Sequence, residues 1–214
     1  MAKVKLLAFS VSLDGFGAGS DQDLNHPLGF RGEEAFKWMF ETKRFAEMTG
    51  QTGGSEGVDN RFAEKSFDNI GSWIMGRNMF GPIRGDWPDN EWKGWWGEDP
   101  PFHTPVFVLT HYPRKSFEMK GGTVFHFVTD GIQSALEQAK EAASGKDIRI
   151  GGGVSTFRQF LQAGCLDEIH LALSPVFLGS GEHLFAGIDM SAFGFNQFQK
   201  TEGEHATHFV ITKG

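Results

Sequence analysis

The chain has 214 residues, 39% of them hydrophobic and 14% aromatic, with 22 Phe and 6 Trp, which suffices for a real core and excludes a disordered chain. Its 20 Lys and Arg stand against 27 Asp and Glu for a formal charge of -7, and the basic residues are scattered, so no nucleic-acid partner is expected. The single Cys165 excludes an intramolecular disulfide, no apolar run reaches the roughly 18 residues of a membrane span, and the lack of a charged-then-apolar leader pattern makes the cytoplasm the expected compartment.

Lys3 to Leu13 reads as a buried strand, with Val4, Leu6 and Ala8 on one face and Leu7, Phe9, Val11 and Leu13 on the other. It runs into a turn-rich stretch, Asp14 to Ser20. Glu33 to Met48 reads as one helix with a broad apolar face that includes Phe36, Trp38, Met39 and Phe45. The polar segment Gly50 to Asn60 reads as an inserted loop, and Asn60 to Ile70 as a helix stopped by Gly71. Ser72 to Met75 is a short strand leading into Gly76, Arg77 and Asn78.

From Gly81 to Pro105 comes a second excursion, whose Trp87, Trp92, Trp95 and Trp96 favour an ordered, packed loop. Strands are expected over Pro105 to Thr110 and Thr123 to Val128, then a helix carrying Ile132, Ala135, Leu136, Ala139 and Ala143. Asp147 to Ile150 is a strand, Ser155 to Ala163 a helix, and Asp167 to Ser174 a strand. Phe193 to Lys200 and His205 to Thr212 form a closing hairpin. Strands alternating with helices and then two consecutive strands predict one α/β domain over 1–214, with a mostly parallel mixed sheet and an antiparallel C-terminal hairpin.

In such sheets ligands gather beyond the carboxyl ends of the strands, where helix N-termini present N–H groups. Two junctions fit: Gly151, Gly152 and Gly153 before Ser155 and Thr156, and Gly76 before Arg77. A crowded strand-to-helix turn explains the glycines equally well. Residues 151 to 156 read GxGxxT rather than GxGxxG, and GxxxxGK[ST] does not occur. His205 and His208, three apart on an expected strand, fall on opposite faces, and there is no HExxH, so no metal site is expected. Nor does any GxSxG mark a nucleophile, and Cys165 reads as a spectator thiol.

The segments "AFSVSLDGFGAG", "SWIMGRNMF", "PVFVLTHYPR", "IRIGGGVSTFRQFL" and "DEIHLALSPVFLGSGEHLF" together resemble the dihydrofolate reductase superfamily in order and spacing. The last is most similar to the reductase domain of the bacterial riboflavin-biosynthesis deaminase-reductase. The resemblance spans the chain except for loop insertions at about 49–60 and 84–104, and it implies a three-layer α/β/α fold and NADPH as cofactor. It further implies that Gly76, Arg77 and Asn78 meet the cofactor's phosphates, with Thr110 and His111 beside the 2'-phosphate. Gly152 and Gly153, supported by Val154, Ser155, Thr156 and Phe157, turn against the pyrophosphate. Ser10 and Val11 with the 14–19 loop, Gly17 and Ala18 included, line the nicotinamide pocket.

An acid assisting protonation is implied near Glu33 and Glu34, which otherwise read as first-turn residues favoured by the helix dipole. Phe16, Trp38 and the Trp92, Trp95 and Trp96 group are candidates for an aromatic wall, with core packing the alternative for Trp38. The implied activity is hydride transfer to a small heterocyclic or ribosyl-linked substrate, as in the aminopyrimidine reductase of riboflavin biosynthesis. A pterin reductase and a non-catalytic dinucleotide sensor are the alternatives. A homodimer is expected by the same resemblance.

Overall fold

The computed structural model describes residues 2–81, 83 and 85–214; Pro82 and Arg84, which belong to the second expected excursion, lie outside them. In chain order the elements are β1 (Val4–Ser12), β2 (Phe16–Ala18), α1 (Gly32–Phe40), α2 (Lys43–Met48), α3 (Val58–Lys65), β3 (Ile70–Gly76) and the one-turn α4 (Arg77–Phe80). They continue with β4 (Pro105–Leu109), β5 (Phe117–Glu118), β6 (Val124–Val128), α5 (Gly131–Ala142), β7 (Asp147–Gly152) and α6 (Val154–Gln162). The last are β8 (Glu168–Ser174), β9 (Glu182–His183), β10 (Phe195–Glu202) and β11 (Thr207–Lys213). Nine strands form one sheet in the order β10-β11-β8-β1-β7-β3-β4-β6-β5. From β8 to β6 neighbours run parallel, and β11, β10 and β5 are antiparallel additions.

Both faces of the central strands are apolar because both are covered. On one face α5 and α6 set Ala135, Leu136, Ala139, Phe157 and Phe160 against Val4, Leu6, Ile148 and Ile150. On the other, Trp38 and Ala63 of α1 and α3 cover the β1 and β8 side. On the β3, β4 and β6 side the one-turn α4 contributes a single buried residue, Phe80. Trp87, Trp92 and Trp96 pack there with Phe80 on Trp73, Val106 and Phe125, so the tryptophan-rich excursion supplies most of that cover.

Four expectations need correction. The helix expected over Glu33 to Met48 is two helices, because Thr42 turns extended (φ -80, ψ 152) and caps α2 by accepting from the Phe45 amide. Gly71 does not stop a helix. It lies inside β3, where a Cβ would run into the Ala143 carbonyl, and the preceding helix ends at Lys65. His205 sits in the turn before β11, where its amide donates to Asp59, so it does not share a strand with His208.

The fourth concerns β1. Pairing with β8 matches Leu6 to Ile169 but Phe9 to Leu171, so β1 carries one extra residue, a β-bulge, and Ala8 takes a left-handed φ of 53. An extra residue exchanges the faces beyond it. Phe9 and Val11 therefore join Val4 and Leu6 in one core cluster, while Leu7 and Ala8 face the other side.

A small β2–β9 ribbon, absent from the sequence expectations, closes over the end of β1. It depends on Gly181, whose φ of 134 disfavours any side chain and whose Cβ would strike the Ala18 carbonyl. Gly181→Ala is expected to cost about 1–3 kcal/mol, read as a lowered urea midpoint. An unchanged midpoint would mean that the ribbon contributes nothing to the folded state.

Candidate functional site

At the carboxyl ends of β3, β4 and β7 opens a cleft of about 640 Å³, within the range of small-molecule sites. The two glycine junctions found in the sequence form adjoining parts of its wall. Gly76, Arg77 and Asn78 line it from the β3 end, Thr110 and His111 from beyond β4, and Gly152, Gly153, Val154, Ser155 and Thr156 from the β7–α6 turn. Gly17 and Ala18 of β2 line it as well.

The glycines are there for different reasons. Gly152 has a φ of 140, which L side chains rarely adopt, and is joined to Gly153 by a cis peptide. Gly76 approaches α6 so closely that a Cβ would fall 2.5 Å from Thr156 Oγ1. Gly153 is under neither constraint: its φ and ψ of -82 and -161 are ordinary extended values, and a Cβ there would meet nothing closer than Glu182 Oε2 at 4.0 Å. Gly153 is also the N-cap of α6, with no side chain to occupy the first-turn N–H groups.

Arg77 lies against two aromatic rings, its guanidinium carbon 3.8 Å from the Trp87 ring centroid and 4.9 Å from that of Tyr112. Its Nη1 donates to the Gly85 carbonyl at 2.6 Å. Arg114 lies 5.0 Å from the Trp87 ring centroid, so the excursion tryptophan contacts two cations. Burial lowers the Arg114 pKa, and Arg77 adds to the effect. Thr110 is turned inward, its Oγ1 accepting from the Tyr112 amide at 3.1 Å.

Other expected residues lie elsewhere. Ser10 and Val11 are buried beneath the cleft, Ser10 Oγ accepting from Trp38 Nε1 at 2.8 Å, because the bulge brings Ala8 and Phe9 to the wall in their place. Phe157 is fully buried between Phe9 and Phe185. Glu33 and Glu34 are exposed and outside the cleft lining, and Glu34 binds Arg31 through two bonds of 2.6 and 2.7 Å. The α1 face turned to the cleft instead presents Phe36 and Phe40. Trp95 and Trp96 line the cleft, Trp92 and Phe16 do not, and Trp38 is core.

Asp14 has a structural task. It accepts from Ser12 Oγ at 2.6 Å and from the amides of Leu178 and Gly179 at 3.1 and 2.7 Å. Burial works to raise its pKa, but these bonds outweigh it and hold the carboxyl at about 2. They fasten the Leu178–Gly181 segment to the β1–β2 turn.

Sequence reading missed Glu182, the one acidic side chain among the described cleft-lining residues. Only the pairing of Glu182 with Ala18 brings it there. Among the described residues no group of three or more His, Cys, Asp or Glu could hold a metal ion, and no helix is long and apolar enough to cross a membrane.

Comparison with known proteins agrees with this architecture. The RibD C-terminal domain family matches residues 4–209. An uncharacterized protein of Bacillus subtilis (strain 168), YyaP, is 27% identical over 190 residues, covering 86% of this chain and 80% of its own. A Shewanella sp. PV-4 protein provisionally named for riboflavin biosynthesis superimposes with a TM-score of 0.56 at 20% identity, covering 100% of this chain and 99% of its own. Dihydrofolate reductase of Enterococcus faecalis, solved in complex with NADP(H) and RAB-propyl, gives 0.52 at 14% identity, over 99% and 95% of the two chains.

Proposed function

The chain belongs to the RibD C-terminal domain family, and from that premise we propose that its cleft binds NADPH and reduces a small heterocyclic or ribosyl-linked substrate. One observation carries the reading: at Gly153 neither the φ nor any non-adjacent atom stands against a side chain, yet none is present. Positive φ and close approach account for Gly152 and Gly76 but not for Gly153. A diphosphate lying against the first turn of α6 supplies one, because it needs both the space and the N–H groups.

Apart from Glu182, whose Oε2 lies 4.0 Å from the place of a Gly153 Cβ and has to swing aside for an anion, the residues present fit such a cofactor. Backbone amides at Val154, Ser155 and Thr156 and the hydroxyls of the latter two hold the diphosphate. Arg77, with Thr110 and His111 beside it, takes the adenosine 2'-phosphate, its guanidinium over Trp87 offering a charge-assisted contact. Bound NADPH supplies hydride. Phe36, Phe40, Trp95 and Trp96 also line the cleft, where they exclude water and offer apolar surface to a flat ring, orienting the carbon that is reduced. Those side chains also favour a second reading, a dihydropterin-type acceptor.

The test is a titration with NADPH and NADH followed by tryptophan fluorescence, then a screen for NADPH oxidation with dihydrofolate and with the riboflavin-pathway aminopyrimidine. Turnover with either acceptor supports a reductase. Stoichiometric binding without turnover makes the protein a dinucleotide sensor, and no binding overturns both. Arg77→Ala is expected to weaken NADPH about 10- to 100-fold and NADH far less; equal losses would remove Arg77 from the 2'-phosphate.

A further inference from the structure

The extra residue in β1 leaves the Leu7–Ala8 peptide outside the ladder, and a buried peptide needs partners for both its groups. Two side chains from other strands provide them. The Leu7 carbonyl accepts from Arg149 Nη2 at 3.1 Å, and the Ala8 amide donates to His170 Nδ1 at 3.0 Å. Arg149 is 6% exposed and His170 2%.

Each of these residues is itself fixed. Arg149 Nη1 donates to the Ser66 carbonyl and hydroxyl at 2.7 and 2.8 Å, and its guanidinium lies 4.2 Å from the Trp73 centroid. An accepting Nδ1 puts the His170 proton on Nε2, which lies 3.0 Å from His208 Nδ1. His208 Nε2 then donates to Asp59 Oδ1 at 2.8 Å, while Asp59 Oδ2 accepts from the His205 amide. All protons in the chain point from Ala8 to Asp59, so both imidazoles are neutral. The charged groups around them are Arg149 and Lys65 beside His170, and Asp59 and Glu204 beside His208.

The bulge matters because of Phe9. Past it, Phe9 turns toward the cleft, where its ring fills the floor between two glycines: a Cβ on Gly17 would fall 2.7 Å from Phe9 Cε1, and one on Gly152 3.8 Å from Cε2. We propose that His170 and Arg149 are positioning residues of the cleft: by holding the amide and carbonyl of the extra peptide, they keep the bulge that sets Phe9 under the glycine turn. Asp59 and His208 set the tautomer that lets His170 accept. The consequence for ligand binding rests on the dinucleotide reading, whereas the clamp on the peptide does not.

The full chain is compared with His170→Leu, which fills the space without an acceptor, and His170→Asn, whose Oδ1 replaces Nδ1 toward Ala8. Hydrogen exchange of the Ala8 amide is followed by NMR, and the Kd for NADPH by fluorescence. Ala8 is expected to stay protected in the wild type and the Asn variant and to exchange about 100-fold faster in the Leu variant. The Kd is expected to rise about 10-fold for Leu and less than about 3-fold for Asn. If the Leu variant does not fold, Arg149→Met, which keeps the apolar stem and removes the donor to Leu7, is read in the same two ways. Equal behaviour of Asn and Leu would reduce His170 to core filling, and full Ala8 protection in the Leu variant, or in Arg149→Met where that is the variant read, would overturn the clamp. If the wild type itself binds no NADPH, the dinucleotide reading falls and Ala8 exchange alone decides the clamp.

Discussion

Gly153→Asp is expected to weaken NADPH by about 100-fold or more, about 2.7 kcal/mol, without loss of folding. The two halves of that expectation have separate causes. Gly153 is the N-cap of α6 in an extended conformation, and Asp is among the most favourable residues at that position, where Gly is only slightly worse. A Cβ there meets no non-adjacent atom closer than Glu182 Oε2 at 4.0 Å. Folding therefore has no reason to fail.

Binding does have one. The introduced carboxylate takes the first-turn N–H groups for itself and puts negative charge where the diphosphate needs to lie. Gly153→Ser separates the two contributions: it caps the helix without charge and is expected to cost about 10-fold. Melting temperature and NADPH titration measured on both variants check this. Unchanged affinity with an intact fold would place the diphosphate elsewhere and leave Gly153 unexplained.

Lowering the pH from 7 to 4 is expected to remove about 3 kcal/mol of stability through His170 alone. Burial, with His208 and Arg149 adding to it, lowers the His170 pKa to about 3, whereas in the unfolded chain it is about 6.5. Below about 6.5 the unfolded state binds a proton that the native state refuses, so stability falls with pH until the folded pKa is reached. The window thus runs from about 6.5 down to about 3, and His208, whose pKa burial also lowers, acts in the same direction.

Asp14, with its pKa held near 2, loses its contribution only below about pH 4. Glutamates held low by hydrogen bonds, such as Glu204, begin to lose theirs below about pH 5, so the range from about 6.5 to 5 is where the histidines act alone among these groups. Urea unfolding at a series of pH values, repeated on His170→Asn, isolates the share of this residue. Parallel pH profiles for the two proteins would show that His170 does not resist protonation. A flatter acid limb in the variant is the expected result.

Most of the elements were legible in the chain because their signals are local. A glycine triplet between an apolar run and an amphipathic segment announces β7, its turn and α6, and Gly76 followed by Arg77 marks the β3–α4 junction in the same way. The two junctions share a wall because parallel strands of one sheet end on the same side. The order of the segments was enough to carry the resemblance to the family. Periodicity failed where one residue decided the outcome. Thr42 divides an apolar pattern that reads as continuous, because its hydroxyl caps a helix that hydrophobic spacing cannot end. Glu33 and Glu34 are exposed because the cleft side of α1 carries Phe36 and Phe40.

What the sequence determined by itself was the α/β alternation, the C-terminal hairpin and the glycines at the strand ends, all set by conformational preferences that act within a few residues. Only the tertiary structure decided which face Phe9 occupies, what the tryptophan excursion covers and how Glu182 reaches the cleft. The physical reason is one of distance along the chain: the bulge in β1 stands on bonds from Arg149 and His170, 142 and 162 positions away, and no local pattern around Ala8 encodes partners so remote.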